Sequence, residues 1–132
     1  MVRPGKTGID LGKLGFGGWP IGGPFIFDGR EDGWGSVDDD ASVKAIHAAL
    51  DAGIRYIDTA DVYGTGRSER VIGRAIKGRR DQAVISTKFG FQYDEDKKEA
   101  WSRYDASPAY IRKACEASLR RLGTDYIDLY QF

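Results

Sequence analysis

Ile54-Arg55-Tyr56-Ile57-Asp58-Thr59-Ala60-Asp61-Val62-Tyr63-Gly64 follows directly on a glycine, Gly53, and runs from a short apolar stretch into side chains that can hold or release a proton. Upstream, Ala41 to Ala52 sets Val43, Ile46 and Leu50 on one helical face, so Gly53 reads as the left-handed residue that ends a helix. Ile54 to Ile57 then reads as a strand. The acidic run Asp38, Asp39 and Asp40 fits the helix start, where free backbone N–H groups favour negative charge, and needs no metal to explain it. Downstream, Ser68 is a candidate cap for a helix whose Val71, Ile72, Ala75 and Ile76 share a face and whose end carries Lys77, Arg79 and Arg80.

The same alternation continues outward in both directions. Lys13 to Gly18 is a short apolar run closed by glycines, Ala83 to Thr87 is a further strand, and Tyr126 to Phe132 is another. Before the last of these, Ser107-Pro108 is an N-cap followed by proline at the first helical position, and Ile111, Ala114, Cys115, Ser118, Leu119 and Leu122 line one face as far as Gly123. Strands alternating with helices of this length imply parallel pairing through right-handed crossovers, in an open sheet or a barrel. Gly15-Phe16-Gly17-Gly18-Trp19-Pro20 is not a dinucleotide fingerprint, because proline stands where the third glycine belongs, and it lacks the lysine of a P-loop. Its glycines serve a tight turn or the close approach of a flat ligand.

Twenty basic and twenty acidic side chains cancel, and no basic stripe is present, which argues against nucleic acid as a partner. No segment approaches the ~20 apolar residues of a membrane helix, and the N-terminus lacks the apolar core of a signal peptide; the expected location is the cytoplasm. One cysteine, Cys115, at a core spacing, and one histidine, His47, in a helix, leave no metal cluster to expect and no disulfide. Residues 1–132 are expected to form one unit.

Asp58 and Lys88 both stand at the C-terminal ends of strands, where either architecture places active sites. A tyrosine hydroxyl is a weak acid at neutral pH and needs a neighbouring cation to give up its proton readily. Lys88 could be that cation for Tyr63, and Asp58, one strand away and at the same level, could balance Lys88. A structural salt bridge beside a surface tyrosine explains the same residues equally well at this point. The segments Pro24 to Val37, with Phe25, Phe27 and Trp34, and Phe89 to Ala106, with Tyr93, Trp101 and Tyr104, read as loops that would shape a partly apolar pocket.

Five motifs in series, Leu14-Gly15-Phe16-Gly17-Gly18-Trp19, Gly53 to Ala60 with Tyr63-Gly64, Ser68-Glu69 with Ile72-Gly73, Ser86-Thr87-Lys88, and Leu119 to Tyr130, resemble the aldo-keto reductases. The resemblance implies an α/β fold, the N-terminal half of a TIM (β/α)8 barrel with about four parallel strands and three helices. An N-terminal β-hairpin over Val2 to Leu11, turning at Lys6-Thr7-Gly8, would precede them. It also implies NADPH-dependent reduction of aldehydes and ketones to alcohols, with Tyr63 as general acid, Lys88 as its partner and Asp58 as the carboxylate that holds the lysine. Gly18, Trp19 and Asp58 would border the cofactor, and Trp19 with Tyr63 the carbonyl substrate.

The family's fourth catalytic residue, a histidine directly after strand four, would follow Phe132, and the later strands and cofactor loops would lie beyond it. The chain is therefore expected to be part of a longer reductase and inactive in isolation. A half barrel has two unpaired edges and an open face, so self-association or a complementing C-terminal half is the alternative, as is a nicotinamide-binding regulatory module without turnover.

Overall fold

Helix ends and glycines set the frame of residues 3–132, which the computed structural model describes. Helix α1 (Asp39–Asp51) begins where the Asp38 carboxylate accepts the Ala41 N–H at 2.9 Å. It ends in a Schellman motif: Gly53, at φ +81°, donates to the Leu50 carbonyl and Ile54 to that of Ala49, each at 2.9 Å. The chain thus turns straight into β4 (Tyr56–Asp58). Helix α3 (Pro108–Leu122) is capped by Ser107, with proline in its first turn and Gly123 past its end. Helix α2 (Arg67–Ile76) departs from expectation: Gly66 is its N-cap, and Ser68 lies inside the first turn, fully buried.

Strands β1 (Gly15–Gly17), β4, β5 (Val84–Lys88) and β8 (Leu129–Gln131) form a parallel sheet in the order β1-β4-β5-β8. Together with the three helices this is the expected half of a (β/α)8 barrel. Alternation along the strands divides the faces. Ile57 and Ile85 turn outward and pack, fully buried, with Ile46 and Leu50 of α1, Val71, Ile72 and Ile76 of α2, and Leu122 of α3. Each such side chain removed from water contributes roughly 1.5–3 kcal/mol. Tyr56, Asp58, Ser86 and Lys88 occupy the other, inner face.

The last strand is shorter than the run Tyr126 to Phe132, because side chains take over its first rungs. The Asp128 carboxylate accepts the Ile85 N–H at 2.8 Å, and Arg80 donates to both Asp128 and the Tyr126 carbonyl. The expected N-terminal hairpin is absent among the described residues. A turn closes between the Thr7 N–H and the Pro4 carbonyl, but Gly5, Gly8 and Gly12 all have positive φ, and so frequent a reversal leaves no extended run to pair. Val2, where that hairpin was to start, lies outside the described residues.

The two segments read as loops are instead hairpins. Strands β2 (Phe25–Phe27) and β3 (Arg30–Asp32) flank one turn, β6 (Phe91–Asp94) and β7 (Glu99–Tyr104) the other. They join through parallel pairing of β2 with β7 into a second sheet, β3-β2-β7-β6, which roofs the C-terminal ends of the barrel strands over a small core of Phe25, Ala60, Val62 and Ala100. No helix among the described residues is long and apolar enough to cross a membrane.

Candidate active site

Under this roof the barrel strands end in polar groups. Asp58 is the last residue of β4 and Lys88 of β5. They are not level: Asp58 pairs with Ser86, so Lys88 stands two residues further along, about 6.6 Å. The length of the lysine closes that gap. Its Nζ donates to both carboxylate oxygens of Asp58, at 2.8 and 2.7 Å, and to the Thr59 carbonyl at 3.0 Å. These three bonds use every N–H of the ammonium.

Tyr63 lies on the segment after β4, held by the close passage of two backbones. Gly64 has φ +58°, and a Cβ there would lie 1.9 Å from the Gly22 carbonyl oxygen. The ammonium of Lys88 is 5.5 Å from the centre of the Tyr63 ring, so the lysine reaches the tyrosine through its charge and not through a hydrogen bond. On its other flank Tyr63 stacks with Trp19, centroids 6.0 Å apart and planes at 22°, and Trp34 packs edge-on against Trp19.

A cavity of about 340 Å³ opens beside Tyr63 and Lys88, walled by Phe89, Phe91, Tyr104 and Phe132. A second, of about 210 Å³, is lined by Trp19, Phe25, Phe27, Asp32, Val62, Tyr63 and Phe91. Tyr63 belongs to both. Of the aromatic residues expected to shape a pocket, Phe25, Phe27 and Tyr104 line these cavities; Trp34 supports one from behind. Tyr93 turns instead toward Arg121, and Trp101 lines neither.

Gly18 is buried and fully engaged: its N–H donates to the backbone carbonyl of Asp58 at 2.7 Å and its own carbonyl accepts from the Ser68 hydroxyl, which in turn bonds the Thr59 hydroxyl. A Cβ at Gly18 would lie 2.8 Å from the Asp58 carbonyl, whereas one at Gly17 would meet nothing within 4 Å. Gly17 pairs with Asp58, so the inner face is bare just beside that carboxylate. A flat ring fits this strip, with Asp58 and the half-exposed Trp19 at hand; Gly18 offers shape to such a ring but no free polar group.

The residue that sequence reading left without a role is Asp61. It is 1 % exposed, and neither carboxylate oxygen has a hydrogen-bond partner. Burial first, and the nearby Glu69 second, push its carboxyl up from 3.8 to about 8. The Arg121 guanidinium offsets only part of this rise; it is bound at 2.6 Å to Glu69, itself fully buried and bonded by Thr87. A third ionisable group between Asp58 and Tyr63 was the available signal. His47 bonds the Ala75 carbonyl across the α1–α2 contact, away from the site.

Comparison with known proteins follows the same lines. The model of the Aldo/keto reductase family matches residues 13–132. The aldo-keto reductase YhdN of Bacillus subtilis is 45% identical over 127 residues, which are 95% of this chain and 35% of that one. The holo form of aldo-keto reductase AKR11C1 from Bacillus halodurans superposes with a TM-score of 0.79 at 37% identity, over 96% of this chain and 37% of that one. An aldo/keto reductase from Klebsiella pneumoniae in complex with NADP and acetate gives 0.62 at 33% identity, over 88% and 33%. The chain spans about a third of the length of the curated relatives it matches.

Proposed function

The chain belongs to the aldo/keto reductase family, and from that premise we propose that it supplies the acid–base side of an NADPH-dependent reduction of aldehydes and ketones to alcohols. The observation that carries this reading is the fixed ammonium of Lys88, bonded to both oxygens of Asp58 and facing the ring of Tyr63. A cation so placed favours the phenolate that Tyr63 becomes once its proton has passed to a carbonyl oxygen. Asp58 and the Thr59 carbonyl keep that charge from swinging into solvent, and the roof leaves the tyrosine half-buried.

The nicotinamide, which the Klebsiella relative's complex makes the natural candidate, supplies hydride to the carbonyl carbon when bound. Gly18, Trp19 and Asp58 would border it along the bare strip at Gly17. Tyr63 would hold the carbonyl oxygen, with Trp19 as one wall of the substrate site. The activity is proposed for the whole barrel, of which this chain spans the length that carries Asp58, Tyr63 and Lys88.

Oxidation of NADPH by the protein as its source makes it, followed with a panel of aldehydes, tests the reading. Tyr63→Phe should lower kcat by at least about 100-fold while NADPH affinity holds. Turnover close to that of the parent would overturn the role of Tyr63.

A further inference from the structure

The smaller cavity beside Tyr63 combines aromatic walls with one charged group, Asp32. Antiparallel register pairs Phe25 with Asp32 and Phe27 with Arg30, so Asp32 shares the face of the two phenylalanines that line the cavity. One of its oxygens accepts the Gly33 N–H. Among the described residues Asp32 forms no ion pair; Arg30, on the same face, is exposed and stands off from it. Lys88, the cation that faces Tyr63, is bonded to both oxygens of Asp58 and does not line this cavity.

A half-buried carboxylate among aromatic rings is chemistry suited to an ammonium group. Ring faces attract a cation through their quadrupole, most strongly for tryptophan and tyrosine, and the carboxylate adds direct charge attraction; a quaternary ammonium, with no N–H to hydrate, gives up the least water on entering. The same pair repels a carboxylate-bearing ligand. Trp34, packed edge-on against Trp19 at 5.9 Å, holds that indole in place.

We propose that the cavity lined by Trp19, Phe25, Phe27 and Asp32 is a subsite for the cationic end of the substrate, which makes an aldehyde bearing an ammonium group the preferred class. The subsite lies against Tyr63, so the cation is only a few bonds from the carbonyl that Tyr63 would protonate; this placement rests on the reductase reading.

Binding and turnover separate the two. Choline and its uncharged carbon isostere, 3,3-dimethylbutan-1-ol, are titrated into the cofactor-free full protein, with fluorescence of Trp19 and Trp34 as readout. Choline should bind about tenfold tighter, a preference of the size that cation–π and charge attraction supply. Asp32→Asn, which keeps an acceptor for the Gly33 N–H, should abolish the preference and leave the alcohol's affinity unchanged. Asp32→Lys should reverse it, so that the alcohol binds tighter than choline. Equal binding of choline and its isostere, or a preference that survives Asp32→Asn, would overturn the subsite. In turnover, trimethylammonioacetaldehyde should exceed 3,3-dimethylbutanal in kcat/KM by a similar factor. Equal reduction of both aldehydes sinks the subsite and leaves the reductase reading intact. Reduction of neither, with the choline preference present, retains the subsite and refutes the reductase reading.

Discussion

Asp58 grips Lys88 by both carboxylate oxygens, although the two residues stand on different levels of the sheet. The lysine must bend back along its strand to be held, and only then does its charge face Tyr63. Lys88→Met should therefore lower kcat for carbonyl reduction by about 10²–10⁴-fold. Asp58→Asn, which frees the ammonium to turn toward water, should lose a large part of the same factor. The double variant should be little worse than Lys88→Met alone. Fully multiplicative losses would mean that the two residues act separately.

Gly64→Ala strikes the positioning of Tyr63 instead of its chemistry. The added Cβ would lie 1.9 Å from the Gly22 carbonyl oxygen, at a backbone φ of +58°. The two segments must part, and we expect a loss of about 3 kcal/mol or more in unfolding free energy. Thermal melting checks this, and a variant within 1 °C of the parent would show that the backbones are not locked there.

Asp61 sets a pH dependence of stability. Its carboxyl is raised from 3.8 to about 8 in the folded chain, so between those values the folded state keeps a proton that the unfolded state has lost. Stability is then full below the lower value, falls as pH rises through the window, and levels off above about 8. Asp61→Asn carries no such proton. It should match the parent at the acid end and exceed it by a few kcal/mol, in order of magnitude, at the alkaline end. Urea titrations across that range measure the difference, and parallel curves for parent and variant would refute the assignment.

The Glu69–Arg121 pair is buried on both sides, with side chains 0% and 9% exposed. Arg121→Met leaves a carboxylate without its cation and should cost about 3–5 kcal/mol. Joining it with Glu69→Gln should restore part of that loss. A double-mutant cycle by chemical denaturation gives the coupling, and a value near zero would mean the ion pair contributes nothing specific.

Local signals carried most of the barrel. Asp38, Gly53, Ser107-Pro108 and Gly123 act on their own neighbours, so both ends of α1 and of α3 were legible without knowledge of the rest. Asp58 and Lys88 were legible as a pair because strand ends of a parallel sheet meet at one rim; their offset was not, because register depends on both strands at once. Ser68 has the chemistry of a cap, yet tertiary bonds to Gly18 and Thr59 claim its hydroxyl. The roof was missed for a related reason. Its strands are short, and β2 finds its partner in β7, far along the chain. One local signal did exist: Asp28-Gly29 between Phe27 and Arg30, both at positive φ, is a two-residue hairpin turn.

The parallel pairing of β2 with β7 also bears on how this protein can be re-engineered. Loops on a barrel rim are commonly exchanged one at a time, as interchangeable parts on a constant frame. Here the Ile26 and Asp28 N–H groups donate across to the Lys98 and Ala100 carbonyls, and the Asp28 carboxylate accepts the Ser102 N–H in return. A graft of residues 24–37 alone, or of 89–106 alone, would strand those donors and acceptors. The two hairpins form one cassette, and a change of pocket in this scaffold has to transplant both.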